Sequence, residues 1–147
     1  MIVRRKTSHA RSEHDPGTMS TNIRDAEIDE TFTLWAEAGQ RGDADAMAAL
    51  VTDDAEFWSQ GQPALRGRAA VLDAFRRVFV AYQVEQRWER VERIVSGDWA
   101  WERGIEHNAV IHRSDGARTE VRQRAFTVLH RDADGRWRFA RGMTNRE

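Results

Sequence analysis

The hydrophobic period of this chain changes once, after Tyr82, and that change limits what the chain can fold into. Before it, apolar residues recur every three or four positions; after it, they alternate. A period of 3.6 buries one stripe of a helix and a period of two buries one face of a strand, so the sequence reads as helices followed by an antiparallel meander. Ile28, Phe32, Trp35 and Ala38 mark a helix over 25–38 that Gly39 or Gly42 ends. Asp43 can accept from the free N–H groups of a short helix over 44–50 that buries Met47 and Leu50. Residues 54–59, DAEFWS, read as a strand, and Val71, Leu72, Phe75, Val78, Phe79 and Tyr82 mark a third amphipathic helix. Four strands rich in Val, Ile, Thr and Trp are expected over 84–95, 99–112, 118–130 and 136–144. Ser96-Gly97-Asp98, Ser114-Asp115-Gly116 and Asp134-Gly135 are the turns between them, and the fold class is α+β.

A length of 147 residues suits a single domain. With 40 % hydrophobic and 32 % charged residues, the chain is too apolar for disorder and too interrupted by charge for a membrane span. Its net charge of −1, with acids and bases interspersed, gives no field that would gather nucleic acid or an anionic membrane, so neither is expected as a partner. The absence of cysteine excludes disulfides, thiolate metal sites and cysteine nucleophiles. Lys6 is the only lysine among 23 basic residues, which leaves Schiff-base chemistry without a plausible nucleophile. No HxH, HExxH, glycine-rich phosphate loop or GxSxG elbow occurs, and no metal or cofactor is expected. Residues 1–18 lack apolar periodicity and end in the turn signal Asp15-Pro16-Gly17. They read as a disordered or non-native extension to a domain over 19–147, and without the apolar core of a secretory signal the expected location is cytoplasmic.

The turn chemistry also sets an expectation for the sheet faces. A three-residue loop with Gly116 left-handed would pair Arg113 with Ala117, placing Glu106 opposite Arg124 and His107 opposite Gln123. Opposite charges then face each other, which favours this register over the slips that put Glu106 beside Ala125 or Gln123. In it, Trp99, Trp101, Arg103, Ile105 and His107 share one face with Gln123, Ala125, Thr127 and Leu129. That face is apolar with a few polar groups, as a ligand pocket reads. Glu102, Glu106 and Asn108 fall on the other face with Arg122, Arg124, Phe126 and Val128, as in a solvated or subunit-facing sheet.

The segments GDADAMAALVTDDAEFW, RGRAAVLDAF, GDWAWERG and DGRWRFARGMTN, in that order, resemble the nuclear-transport-factor-2-like superfamily in its SnoaL-like and ketosteroid-isomerase-like part, over residues 22–147. The resemblance implies a cone: a strongly curved antiparallel sheet wrapped around three helices, with a pocket between them and a homodimer formed through the outer sheet. It also implies that Trp35 and Trp101 line the cavity, while Trp58 and Trp88 fall at its rim or at the dimer face. Trp99 and Trp137 suit the core. Where ketosteroid isomerases carry a general-base aspartate, this sequence has Ser59; where they carry the oxyanion-hole tyrosine and aspartic acid, it has Trp35 and Thr127. That isomerisation is therefore not expected here.

His107 remains as the candidate proton-transfer group, with hydrogen bonding to Gln123 as its structural alternative. Arg103 on an apolar face needs a partner, which is Asp53, Asp54, Glu56 or a ligand anion. The expected pocket thus comprises Trp35, Ser59, Trp101, Arg103, Gln123 and Thr127, with His107 as the catalytic candidate. It would bind a small organic molecule as a cofactor-free isomerase, cyclase, dehydratase or hydrolase. The alternative is a non-catalytic ligand-sensing or dimeric association domain.

Overall fold

The computed structural model describes the backbone from Pro16 to Glu147 and the side chains from Asn22 onward. Helix α1 (Pro16–Arg41) is followed by α2 (Ala44–Ala49), β1 (Val51–Ser59), the two-residue β2 (Leu65–Arg66), α3 (Arg68–Ala81) and the long strands β3 (Tyr82–Ser96), β4 (Trp99–His112), β5 (Arg118–Arg131) and β6 (Trp137–Arg146). The strands form one sheet in the order β2-β1-β6-β5-β4-β3. All neighbours are antiparallel except β1 and β6, which run parallel. The expected α+β class and period switch are present. Tyr82, read from the sequence as the last helical position, is the extended residue that ends α3 and begins β3.

Local signals account for most boundaries. Gly42, at φ 68°, closes α1 in the left-handed conformation that glycine adopts without steric cost, and the Asp43 N–H behind it donates to Ala38 O at 2.9 Å. The Asp43 carboxylate then accepts from the Ala46 N–H at 2.9 Å and starts α2. Helix α1 begins at Pro16, so residues 16–18, read as linker, form its first turn. Proline suits that position because its missing N–H would have no intrahelical acceptor there. The rest of the expected extension, residues 1–15, lies outside the described residues.

Ile28 of α1 packs with Val51, Ala55, Val71, Leu129, Trp137 and Phe139 in the main core. A second cluster joins Ala38, Ala44, Met47 and Phe79. Helix α1 is tied across the core to β6: Thr31 Oγ1 donates to Trp137 O at 3.1 Å, and Trp137 Nε1 donates to Glu27 at 3.2 Å. Trp137 is buried as expected, but Trp99 is half-exposed and rests on His130 with ring centroids 4.3 Å apart.

The β4–β5 register differs from the sequence expectation by one residue. Glu106 lies opposite Gln123 and His107 opposite Arg122. The turn has four residues, 113–116, closed by His112 N–H to Ala117 O at 2.8 Å and Gly116 N–H to His112 O at 2.8 Å. Arg113 leaves the ladder because α3 needs it: its N–H donates to Ala81 O at 2.9 Å and its Nε to Phe79 O at 2.9 Å, capping carbonyls at the helix end. A slip of one residue turns every side chain of a strand to the opposite face. Ala100, Glu102, Gly104, Glu106 and Asn108 therefore face the concave side, while Trp101, Arg103, Ile105 and His107 face outward.

Two features of the concave face depend on that register. Gly104 leaves room for Trp88 of β3, which stacks on Phe32 of α1 at 5.3 Å. Glu102, with no exposed surface, accepts from Trp88 Nε1 and from Arg93 Nε, the latter at 2.6 Å. Arg93 reaches onward to Asp29 at 2.6 Å and to Asp25 at 3.3 Å, fastening α1 to the sheet. Burial works against the charge on Arg93, but its hydrogen bonds to Glu102 and Asp29 prevail and hold its pKa above the ordinary value.

A Cβ added at Gly104 would lie 2.3 Å from Glu89 O and 2.6 Å from the Trp88 ring. Backbone on one side and a stacked indole on the other leave it nowhere to go, so Gly104→Ala is expected to lower unfolding free energy by about 1–3 kcal/mol, the usual cost of overpacking. Chemical denaturation of the two proteins checks this; an unchanged midpoint would mean that β4 presents its other face.

Candidate functional site

Between the helices and the concave sheet lies a cavity of about 300 Å³. Phe32 and Trp35 of α1, Met47 of α2, and Val71, Phe75 and Phe79 of α3 form the helical wall. Trp35 meets Phe75 and Phe139 edge-on, at 5.3 and 5.1 Å, so the aromatic wall is a mutually supported set of rings. The sheet wall is apolar at Val84, Trp88 and Val110 and polar at Gln86, Glu106, Asn108, Gln123 and Thr127.

Glu106 is the only ionisable residue among the described residues that line the cavity. Its Oε2 accepts from Gln123 Nε2 at 2.6 Å and from Asn108 Nδ2 at 3.2 Å. A carboxylate can only accept, so it turns both amides with their NH₂ groups toward itself. The Asn108 Oδ1 left on the other side is buried without a hydrogen-bond partner. A buried acceptor without a donor is costly and rare in native proteins, so it calls for a partner. Cross-strand pairing places these groups together: Glu106 sits between Trp88 and Gln123, and Asn108 opposite Gln86.

Four of the residues expected in the pocket, Trp35, Ser59, Gln123 and Thr127, line this cavity. Trp101, Arg103 and His107 do not, because the one-residue slip carries them to the convex face. There Trp101 stacks on Phe126 at 5.6 Å. Arg103 pairs with Glu92 at 2.7 Å and not with Asp53, Asp54 or Glu56, which bind Arg68, Arg141 and Arg66. His107 bonds Glu89 at 2.9 Å and not Gln123; the imidazole beside it holds the Glu89 carboxyl below the usual carboxylate range. Trp58 and Trp88 both line the cavity, Trp58 at its exposed rim.

The residues missed from the sequence are Glu106, Asn108 and Gln86. A carboxylate and an amide two positions apart on a strand share a face, and Gln123 opposite Glu106 is an available donor, so the rejected slip contained the signal. Among the described residues, no group of three or more His, Cys, Asp or Glu side chains could hold a metal ion. No described helix is long and apolar enough to cross a membrane.

The sequence profile of the SnoaL-like domain matches residues 32–140. Among curated proteins, none matches significantly. Solved structures share the fold. A conserved protein from Planctomyces limnophilus DSM 3776 has a TM-score of 0.79 at 24 % identity, covering 86 % of this chain and 99 % of that one. A ketosteroid isomerase-like protein from Erwinia carotovora atroseptica SCRI1043 has a TM-score of 0.72 at 26 % identity, covering 82 % and 94 %. A candidate scytalone dehydratase from Novosphingobium aromaticivorans DSM 12444 has a TM-score of 0.80 at 15 % identity, covering 88 % of each chain.

The convex placement of Arg103 and His107 has a direct test. Both ion pairs are solvent-exposed, and exposed pairs contribute about 0–1 kcal/mol. Arg103→Met and His107→Gln should each shift unfolding free energy by no more than this and leave binding of an aromatic ligand unchanged. A loss of several kcal/mol on Arg103→Met would show that the guanidinium is buried, and the register wrong.

Proposed function

The chain belongs to the SnoaL-like domain family, and on that footing we propose that its cavity binds a small, largely apolar organic molecule on which Glu106 acts as a proton acceptor. The observation that supports this reading is the single carboxylate in an apolar chamber, fixed through one oxygen by two amides. Holding Oε2 in this way orients Oε1 without committing it, since no described residue donates to Oε1. A fixed carboxylate against an aromatic wall is a group placed for proton transfer, which typically contributes about 10²–10⁴-fold to rate. The reaction class is isomerisation or dehydration through removal of a proton next to a carbonyl. The names of the Erwinia and Novosphingobium structures point the same way. A cavity of about 300 Å³ limits the substrate to a body of one or two rings. Ser59, Trp35 and Thr127 stand around the cavity without the groups of a ketosteroid isomerase, so steroid isomerisation is not the activity proposed.

Exchange of the α-hydrogens of 2-tetralone in deuterium oxide, followed by proton NMR, measures this chemistry without knowledge of the natural substrate. The protein should accelerate exchange above the buffer rate, and Glu106→Gln, which keeps the shape and removes the base, should lower the acceleration about 10²–10⁴-fold. Exchange no faster than in buffer, or equally fast with Glu106→Gln, overturns the assignment.

The convex face supports a second element of the reading. Phe126 is exposed there with Trp101 stacked on it, and Met143 and Trp58, exposed where the cavity rim meets this face, continue the row in register across β6 and β1. A contiguous apolar patch flanked by ion pairs suits a protein interface, and the chain is proposed to form a homodimer through this face. Light scattering at micromolar concentration should give twice the chain mass. Phe126→Arg should give the monomer with its fold intact by circular dichroism, and a wild-type monomer rejects the dimer.

A further inference from the structure

We infer that the cavity selects a ligand whose polar head is a cationic nitrogen, a protonated amine carried on an aromatic body; this rests on the proposed small-molecule site, and toward such a ligand Glu106 serves as counter-ion and not as base. The first argument is charge. The chain is rich in arginine, yet Glu106 is the only ionisable group among the described residues lining the cavity. None of the arginines of the neighbouring strands lines the cavity. Arg93 binds Glu102, Asp25 and Asp29 under α1, and on the convex face Arg118 binds Glu85 and Glu120 while Arg122 binds Glu147. A half-buried carboxylate without a counter-ion favours a ligand cation, whereas a ligand anion would add to its charge.

The second argument is hydrogen-bond polarity. Each amide NH₂ beside Glu106 gives one N–H to its Oε2 and keeps the other. The unpaired acceptors at this end are Glu106 Oε1, the Gln123 carbonyl oxygen and the buried Asn108 Oδ1, one of them charged, whereas the donors left are neutral amides, Gln86 among them. An ammonium offers only donors and meets acceptors of which one is charged; a carboxylate or phosphate offers only acceptors and would find neutral amide donors beside a like charge. The third argument is the wall. The rings of Trp35, Phe32 and Trp88 line the same cavity, and aromatic faces attract cations while accommodating an apolar body.

Three probes with one body and different heads separate these terms: 2-(1-naphthyl)ethylamine, 2-(1-naphthyl)ethanol and 1-naphthylacetate, titrated calorimetrically at pH 7. The amine is expected to bind at least about tenfold more tightly than the alcohol, as a desolvated charge-assisted contact should, and the acetate to bind most weakly. Glu106→Gln should bring amine and alcohol to within about twofold, because the amine's advantage comes from the carboxylate's charge. Equal affinity for the three heads, or a preference for the acetate, overturns the inference and leaves the small-molecule reading standing. Binding of none of the three at millimolar concentration overturns that reading, and the inference with it. The wild-type comparison decides the matter even if the variant does not fold.

Discussion

Arg113 decides what the inside of this protein is. By donating its N–H and Nε to carbonyls at the end of α3, it withdraws from the β4–β5 ladder and lengthens the turn by one residue. In a strand the consequence is binary, because an odd shift exchanges the two faces completely. Glu102, Gly104, Glu106 and Asn108 enter the cone, and Trp101, Arg103 and His107 leave it. A hydrogen bond to a helix end thus determines which chemical groups a ligand would meet.

The two carboxylates brought inside have different surroundings. Glu102 meets the Arg93 guanidinium and the Trp88 indole, and through Arg93 it is linked to Asp25 and Asp29 of α1. Its charge is compensated within the protein, and the network fixes how α1 lies on the sheet. Glu106, four residues along the strand, is held only by neutral amides. Paired buried charges specify structure, whereas a fixed carboxylate without a cation is poised toward something else. Trp88 joins the two regions, donating to Glu102 and lining the cavity beside Glu106.

Most of the architecture was legible in the sequence because it follows from local signals. The switch of period, Gly42 closing α1, Asp43 capping α2 and the glycine turns between the long strands each act within a few residues. Gln123 and Thr127 were found because the phase of β5 is local too, and Trp35 and Ser59 through the family resemblance. The β4 side of the site was not legible, because its register depends on contacts between Arg113 and residues 79 and 81, more than thirty positions earlier. Pairing Glu106 with Arg124 looked better by cross-strand charge, but such pairs contribute about 0.2–1 kcal/mol, too little to override the caps of a helix end.

The place of β6 in the sheet has a consequence for how the domain assembles. It follows every other element in the chain, yet it lies between β1 and β5, parallel to the first strand and antiparallel to its predecessor. Until it is in place, β1 has only the two-residue β2 beside it, and Trp137 and Phe139 are missing from the core around Ile28. The helices and the β3–β5 meander can form from local contacts, but closing the sheet must join segments more than eighty residues apart, a slow kind of step. On the ribosome the cavity therefore remains an open, half-walled trough until the final strand emerges, and its aromatic lining is what a chaperone would meet during that interval.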